Sequence, residues 1–269
     1  MTAMHRHEAE SVAAMRAGVP ERMAVEQARQ YVERGGKLRV LIACEYSATV
    51  RDAFRARGFD AFSCDLLPTE GDPRWHIQDD VFYAIAQGGW DLMIAHPPCT
   101  HLAVSGARHF AAKQASGVQR EALAFVARLL AAPIPHIALE NPVSIISSRI
   151  RKPDCTFQPW EHGHGEVKRT FLWLKNLPAL MSSNVVEGRE ERVHRMAPGP
   201  DRWKERSRTL PGVAKAMADQ WGAHIRATAI RVPAPPRASQ RDSAALVSSP
   251  ASAALNVAYS FHSTEIAHD

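Results

Sequence analysis

A cysteine and a glutamate each stand directly after an apolar run that predicts a buried strand. Cys99 follows residues 91–96 after two prolines, and Glu140 ends the run 136–140. A cysteine thiolate is a strong nucleophile, and basic groups or helix N-termini lower the thiol pKa from about 8.5. A carboxyl group can act as an acid or as a hydrogen-bond partner of a substrate ring. Each residue alone also fits a structural role, but together at two strand ends they indicate chemistry.

The elements that must position this pair alternate between strands and helices from residue 37 onward. The predicted strands are 38–44, 59–65, 91–96, 136–140 and 169–177, and the predicted helices are 49–58, 79–89, 118–132 and 211–222. Repeated strand–helix units predict an α/β fold with a doubly wound, mostly parallel sheet, which becomes mixed at 169–177. Ligands of such sheets bind at the carboxyl ends of the strands. Asn141 and Pro142 predict a helix start, so Glu140 is expected in its first turn.

Both ends of the chain differ from this central part. Residues 1–36 have helical spacing, with Pro20 near the start and Gly35-Gly36 past the end, and they predict a helical N-terminal arm. Residues 227–269 are rich in Ala, Ser, Pro and Arg without periodicity, and they predict a disordered tail. The catalytic domain is therefore predicted at 37–226.

Composition narrows the class of the protein. The chain has 269 residues, 45% of them hydrophobic and 23% charged, which is enough for a sizeable core. A formal net charge of +5 permits a polyanionic partner. Four irregularly spaced cysteines predict reduced thiols. The start has no signal-like apolar core and no run reaches about 18 apolar residues, so a cytoplasmic protein without a membrane span is expected.

The cysteine, the glutamate and their order along the chain resemble the cytosine-5 DNA methyltransferases. In that family a Pro-Cys follows the fourth strand and a Glu-Asn follows the fifth, matched here by "PPC" (97–99) and "ENP" (140–142). The similarity covers about residues 38–222 and implies a Rossmann-like fold dependent on S-adenosylmethionine. It also implies that the Cys99 thiolate adds to C6 of a flipped cytosine in DNA while Glu140 contacts N3 and the exocyclic amine, so that C5 takes a methyl group.

The resemblance assigns further residues to the cofactor, S-adenosylmethionine. They are Glu45, Tyr46, Ser47, Asp65, Asp80 and Pro97. Asp65 would hold the ribose hydroxyls, Asp80 would contact the adenine amine, and the loop 44–48 would pass under the methionine part. The family has Phe-x-Gly-x-Gly where this chain has "CEYSA", which contains no glycine. Close approach of a backbone to a ligand normally uses glycine.

The resemblance also assigns residues to the base and its surroundings. The segment 100–117, with Ser105, would be a mobile loop that closes over the flipped base. Lys168 and Arg169 are the nearest equivalents of a family Gln-x-Arg-x-Arg element whose arginines support that base. They are therefore counted, with Cys99 and Glu140, among the predicted catalytic residues.

Only a short segment, 178–210, is available for target recognition. Its part from 189 to 208 holds seven Arg or Lys against four acidic residues, a net charge of +3. The residues predicted to contact DNA there are Arg202, Trp203, Lys204 and Arg206. Cations around an aromatic ring suit phosphate contacts and base stacking. Such a short segment predicts relaxed or very short sequence specificity.

Other functions stay open. Amino-methyltransferases acting on adenine N6 or cytosine N4 carry an Asp/Asn/Ser-Pro-Pro-aromatic motif, which "HPPC" (96–99) echoes. A pyrimidine C5 enzyme acting on RNA or a nucleotide, or using another carbon donor, would need the same thiolate addition. A catalytically degenerate domain would only bind nucleic acid. A zinc site of Cys155, His162 and His164 lacks a paired Cys-x-x-Cys, so no metal is expected.

Overall fold

The computed structural model describes residues 33–197, 199 and 202–229. This part of the chain is an α/β structure with helices on both faces of a mixed sheet. The strands are β1 Arg39–Ala43, β2 Asp60–Asp65, β3 His76–Gln78, β4 Leu92–Ala95, β5 His136–Pro142, β6 Cys155–Phe157 and β7 Thr170–Lys175. The α-helices are α1 Thr49–Arg55, α2 Val81–Ala86, α3 Phe110–Ala115, α4 Val118–Leu130, α5 Ile146–Arg149, α6 Arg192–Arg195, α7 Arg202–Ser207 and α8 Pro211–Ala229. Short 3-10 turns occur at Pro73–Trp75, Val104–His109 and Pro159–Glu161.

The strand order in the described sheet is β3-β2-β1-β4-β5-β7-β6. Pairing is parallel from β3 through β5, and β7 runs antiparallel to both β5 and β6. This is a doubly wound order of the 3-2-1-4-5-6 type with one reversed strand inserted. The order reverses between β1 and β4, and ligands of such sheets bind in the crevice outside the strand ends at that point. The predicted mixed end of the sheet is confirmed.

The core consists of two apolar layers, one on each face of the sheet. One layer packs α1 and α8 against it through side chains such as Phe54 and Trp221. The other packs α2 and α4 through side chains such as Ile85 and Leu129. Because both faces are covered, β4 is buried at every position, and this explains its continuous apolar sequence. These central strands provide a rigid edge for the site.

Several predicted boundaries are wrong, and short elements account for most of the differences. β3 lies in a segment predicted as a turn, and β6 was not predicted, because three-residue strands are too short to show a period. Helix α8 continues to Ala229, so the predicted start of the tail at 227 is wrong. The remaining tail and residues 1–32 of the predicted arm lie outside the described residues. Gly35 and Gly36, at φ 64° and 77°, follow helical Glu33 as expected.

The segment 100–117, predicted as a loop, is mostly helical. It contains the 3-10 turn Val104–His109 and helix α3. Its start is held by backbone bonds, because the Val104 N–H donates to Val143 (3.0 Å) and the Ile145 N–H donates to Leu102 (3.0 Å). The prediction of a loop therefore overlooked local helical structure that forms one wall of the site.

None of the helices in residues 33–197, 199 and 202–229 combines the length and the apolarity needed to cross a bilayer.

Candidate active site

A cavity of about 1020 Å³ opens at the carboxyl edge of the sheet, above the point where the strand order reverses. Residues that follow β1, β2, β4 and β5 line it, together with residues that precede β7 and residues of α7. Residues 96–100, 140–143 and 167–169 form what we name the β4–β5 side. Residues 44–47, 65 and 67 form what we name the β1–β2 side. The cavity thus collects the chemistry-bearing residues of separate strands.

Cys99 lies on the β4–β5 side, four residues after the end of β4 and directly after Pro97 and Pro98. Its carbonyl oxygen accepts the N–H groups of Leu102 (3.0 Å) and Ala103 (2.9 Å), which fixes the turn that presents the thiol. Burial raises the thiol pKa, and the nearby Glu140 carboxylate raises it further, although Lys168 and Arg206 oppose both effects. The surroundings of Cys99 therefore do not lower its thiol pKa as basic groups can at such a position.

Glu140 lies within β5, paired opposite Leu172 of β7, so its predicted place in a helix is wrong. The pairing continues through Asn141 and Pro142, which therefore extend the strand and do not start a helix. Burial raises the pKa of the Glu140 carboxyl, but a hydrogen bond from His96 and the charge of Lys168 outweigh burial and lower it.

Lys168 and Arg169 reach this edge because β7 runs antiparallel to β5 and begins where β5 ends. Both line the cavity. The Lys168 ammonium donates a hydrogen bond to the Arg206 carbonyl (3.0 Å) and its charge acts on both Cys99 and Glu140. Arg169 is exposed at the cavity. The structure thus brings all four residues predicted as catalytic to one wall.

His96 is a site residue that the sequence reasoning did not select. Its Nδ1–H donates to Glu140 Oε2 at 3.2 Å, and the two side chains are only 10% and 14% exposed. Its Nε2 atom is buried and has no hydrogen-bond partner among the described residues. The one available signal was its place in "HPPC", directly after β4 and four positions before the predicted loop 100–117.

Glu45 and Ser47, on the β1–β2 side, bond mainly to their own loop. The buried Glu45 carboxylate accepts the N–H groups of Val50 (2.7 Å) and Arg51 (3.2 Å) and the Ser47 hydroxyl (3.2 Å). It therefore caps the start of α1, where carboxylates are favoured. Burial raises the pKa of Glu45, and His96 together with these hydrogen bonds opposes that rise.

The loop 44–48 adopts left-handed backbone conformations although it has no glycine. Cys44 has φ 60° and Ala48 has φ 63°. Ala48 occupies the last position of "CEYSA", where the family pattern has its second glycine, and its small side chain is almost fully buried. A loop shape that normally needs glycine is therefore kept at some conformational cost.

Tyr46 connects this loop to α7. Its hydroxyl donates to the Lys204 carbonyl (3.1 Å) and lies 3.3 Å from the Ser207 hydroxyl. Its ring packs against the Trp203 ring at a centroid distance of 6.1 Å. Tyr46 is therefore largely occupied by contacts within the protein and holds α7 over the cavity.

Asp65 and Asp80, both predicted to bind the cofactor, differ in position. Asp65 ends β2 and lines the cavity, and one of its oxygens accepts the Leu67 N–H at 3.0 Å. Asp80 caps α2 by accepting the Phe82 N–H at 2.7 Å and is not part of the cavity lining. The structure brings Asp65, but not Asp80, to the cavity.

The residues predicted to contact nucleic acid also divide into two groups. Trp203, which is 51% exposed, and Arg206 line the cavity, as does Ser105 on the opposite wall. Arg202 and Lys204 lie on α7 outside the lining. Three other arginines of the segment are paired with acids; the ion pairs are Arg192–Glu166, Arg195–Glu191, Arg208–Glu70 and Arg208–Glu205. The positive excess seen in the sequence is therefore partly neutralised in the fold.

The histidines considered for zinc have other partners. His162 Nδ1 lies 2.9 Å from the Ser183 hydroxyl, and His164 Nε2 accepts the Gly212 N–H at 2.9 Å. In the part of the chain that the structure describes, no group of three or more His, Cys, Asp or Glu side chains is placed to hold a metal ion.

No protein-family model matches the chain, and no curated protein matches it either. Any functional assignment therefore depends on the sheet and on the residues of the cavity.

Proposed function

We propose that the protein is a DNA cytosine-5 methyltransferase. The observation that carries the proposal is the convergence of Cys99, Glu140 and Lys168 on one wall of a single large cavity. The strand order, with its reversed strand next to the last, also supports it, because the methyltransferase fold implied by the resemblance has that order. A nucleophile, an acid and a cation at one strand edge are the groups that addition to a pyrimidine ring requires.

The chain's own residues would perform the ring chemistry. Cys99 loses its thiol proton, and its sulfur forms a bond to C6 while the C5–C6 π electrons move toward C5. Glu140 gives a proton to N3 and accepts a hydrogen bond from the exocyclic amine. When bound, S-adenosylmethionine supplies the methyl group that C5 attacks. Loss of the C5 proton to solvent then restores the double bond and releases the Cys99 thiolate, and N3 returns its proton to Glu140.

The raised pKa of Cys99 gives Lys168 and Arg206 a specific task. Both cations oppose the effects of burial and of Glu140 on this thiol. A pyrimidine positioned in the cavity would separate Cys99 from solvent, so the thiolate would depend on these charges. When Glu140 shares a proton with N3, the negative charge of its carboxylate is neutralised. The repulsion that raises the pKa of the Cys99 thiol is then removed.

Some of the residues on the β1–β2 side fit a methyl donor that carries an adenosine group. Asp65 presents a carboxylate at the end of β2, the position that binds ribose hydroxyls in doubly wound sheets. The positive φ angles of Cys44 and Ala48 shape the loop without glycine. The cavity volume of about 1020 Å³ exceeds what one drug-sized ligand needs, so a donor and a flipped base can share it. Asp80 is not expected to take part.

Covalent trapping tests the proposal. In a duplex containing 5-fluorocytosine, C5 carries fluorine, which cannot leave as a cation, so the adduct persists after methyl transfer. We expect a denaturation-resistant protein–DNA adduct that requires S-adenosylmethionine and is absent from Cys99→Ser. Cys155→Ser is the matched control, because Cys155 lies on β6 away from the cavity. An adduct that survives in Cys99→Ser, or none with the unaltered protein, would overturn the assignment.

A pyrimidine C5 enzyme acting on RNA or a nucleotide is the second candidate. The ion pairs of Arg192, Arg195 and Arg208 favour it, because they leave fewer cations to contact a DNA backbone. The same trapping with 5-fluoropyrimidine RNA and nucleotides separates the two candidates. An adduct with these substrates and none with DNA would replace the first proposal by the second.

A further inference from the structure

His96 lines the cavity, where it bonds to the partly buried Glu140 and its charge reaches the buried Glu45. Its backbone N–H bonds to Ala43 of β1 (2.9 Å), so its position is set by the two central strands of the sheet. Its Nδ1–H donates to Glu140 on one side, and its charge acts on Glu45 on the other. The ring chemistry proposed for Cys99 and Glu140 does not involve this residue.

Three buried histidine ring nitrogens have no hydrogen-bond partner among the described residues, on His96, His101 and His162, and of these three only His96 lines the cavity. A buried polar atom without a partner costs about 1–3 kcal/mol. Here Nε2 is buried without a partner among the described residues, while the imidazole is part of the cavity lining. Such a cost is typical of functional sites.

The ionisable groups that face the His96–Glu140 pair come from three separate elements. They are Glu45 after β1, Cys99 after β4, and Lys168 before β7. Glu45 attracts a protonated imidazole, whereas Lys168 stabilises an ionised Glu140. The pair can therefore hold one proton, which either the imidazole or the carboxyl carries.

We infer that His96 is a positioning residue that orients Glu140 toward the pyrimidine ring and supplies the proton that Glu140 passes to N3. This inference rests on the proposed function and deepens it. During addition of Cys99, the Nδ1–H bond of the imidazolium breaks and an O–H bond forms on Glu140. The carboxyl then gives up one proton to ring N3. Glu140 ends as the carboxylate it was before, and His96 ends as a neutral imidazole.

This relay answers a difficulty raised by the environment of Glu140. Hydrogen bonding and the charge of Lys168 lower the pKa of that carboxyl, so by itself it is a poor source of a proton near neutral pH. Histidine is the side chain whose ordinary pKa lies in that range. The His96 Nδ1 and Glu140 Oε2 atoms lie 3.2 Å apart, so a proton can pass directly between the two side chains.

The test measures exchange of the cytosine C5 hydrogen with deuterated water on duplex DNA, without any methyl donor. Reversible addition of Cys99 makes C5 basic, so exchange reports ring activation alone. We expect a bell-shaped pH profile, since the thiol must lose a proton and the imidazole must keep one. His96→Asn, whose amide can donate from near the Nδ1 position, should lower the maximal rate about tenfold and lose the fall at high pH. His96→Ala should lower it about a hundredfold.

His136→Asn is the control, because this histidine lies on the same strand as Glu140, at its other end, and outside the cavity lining. It should keep the wild-type rate and profile. Thermal unfolding of all variants checks that His96→Asn and His96→Ala are folded. His96→Gln replaces either of them if it is not. A His96→Asn protein with an unchanged rate and an intact high-pH fall would overturn the role of His96 while leaving the proposed function standing. A wild-type protein that shows neither exchange nor trapping would overturn both.

Discussion

On the β4–β5 side of the cavity, the side chains of Cys99, His96 and Glu140 face one another and the open space. On the β1–β2 side, the side chains of Glu45 and Ser47 bond to each other and to the start of α1. Both sides lie at the carboxyl edge of the sheet and line the same cavity. One side presents functional groups, and the other presents mainly a shaped backbone.

This difference explains why the β1–β2 side keeps its shape although its loop 44–48 contains no glycine. The β4–β5 side depends on residue types, because thiol, imidazole and carboxyl groups cannot be exchanged for one another. The β1–β2 side depends on conformation, which Glu45 and the positive φ values of Cys44 and Ala48 maintain. Substitutions on the two sides should therefore fail in different ways, one in chemistry and the other in stability or binding.

Substitution of Glu45 should produce the largest change in the free energy of unfolding. Glu45→Gln places an amide NH2 group against the backbone N–H groups of Val50 or Arg51, which now donate to the carboxylate. We expect a loss of about 2 kcal/mol in the free energy of unfolding, measured by urea denaturation. Asp65→Asn is the matched variant, because its carbonyl can still accept the Leu67 N–H. It should change stability by no more than about 0.5 kcal/mol.

The same two variants should rank in the opposite order when binding of S-adenosylmethionine is measured. Asp65→Asn should weaken binding of S-adenosylmethionine about tenfold in calorimetry, since one charge-assisted hydrogen bond is worth about 1.5–3 kcal/mol. If Glu45→Gln weakened binding as strongly while stability stayed unchanged, Glu45 would be a ligand residue and the contrast between the two sides would fail.

Loss of Lys168 should have a smaller effect, which can be measured at the thiol. Its charge lowers the pKa of Cys99, which burial and Glu140 raise, so removing it raises that pKa further. A higher pKa means that less of Cys99 is thiolate at neutral pH, and that the thiolate fraction recovers as the pH increases. We expect iodoacetamide to modify Cys99 about fivefold more slowly in Lys168→Gln at pH 7.5, measured by peptide mass spectrometry.

Lys175→Gln is the control for this measurement, because Lys175 ends β7, the strand that Lys168 precedes, and bonds to Ala132 at the opposite edge of the sheet. It should leave the reactivity of Cys99 unchanged. Equal slowing by both substitutions would mean that the thiol responds to the net charge of the protein and not to Lys168.

The Cys99–Glu140 pair could be predicted from sequence because both residues follow long apolar runs whose strand character is plain. Parallel strands place their carboxyl ends at one edge, so their proximity follows from the order of elements. The predicted helix after Glu140 failed because Asn141 and Pro142 have the local pattern of a helix start, whereas pairing with β7 decides their conformation. That pairing is a tertiary contact and leaves no local signal.

The contacts of His96 and Tyr46 could not be predicted for a similar reason. The Tyr46 hydroxyl bonds to Lys204, 158 residues further along the chain. The His96–Glu140 bond depends on side-chain orientation within a crowded edge, which spacing does not encode. The basic character of 189–208 was visible in the composition, but its ion pairs with Glu70 and Glu166 involve residues far from the segment.

The smallest expected effect concerns Ala48, and it tests whether backbone conformation shapes the β1–β2 side. An L-residue in the left-handed region costs about 1–2 kcal/mol, whereas glycine there is unstrained but loses more entropy on folding. Ala48→Gly should therefore raise the free energy of unfolding by about 0.5 kcal/mol. Ala53→Gly, inside helix α1, should lower it by about 1 kcal/mol. If both variants were destabilised alike, contacts of the buried Ala48 methyl group with the segment at Gly71 would outweigh the strain, and packing would hold the loop in place.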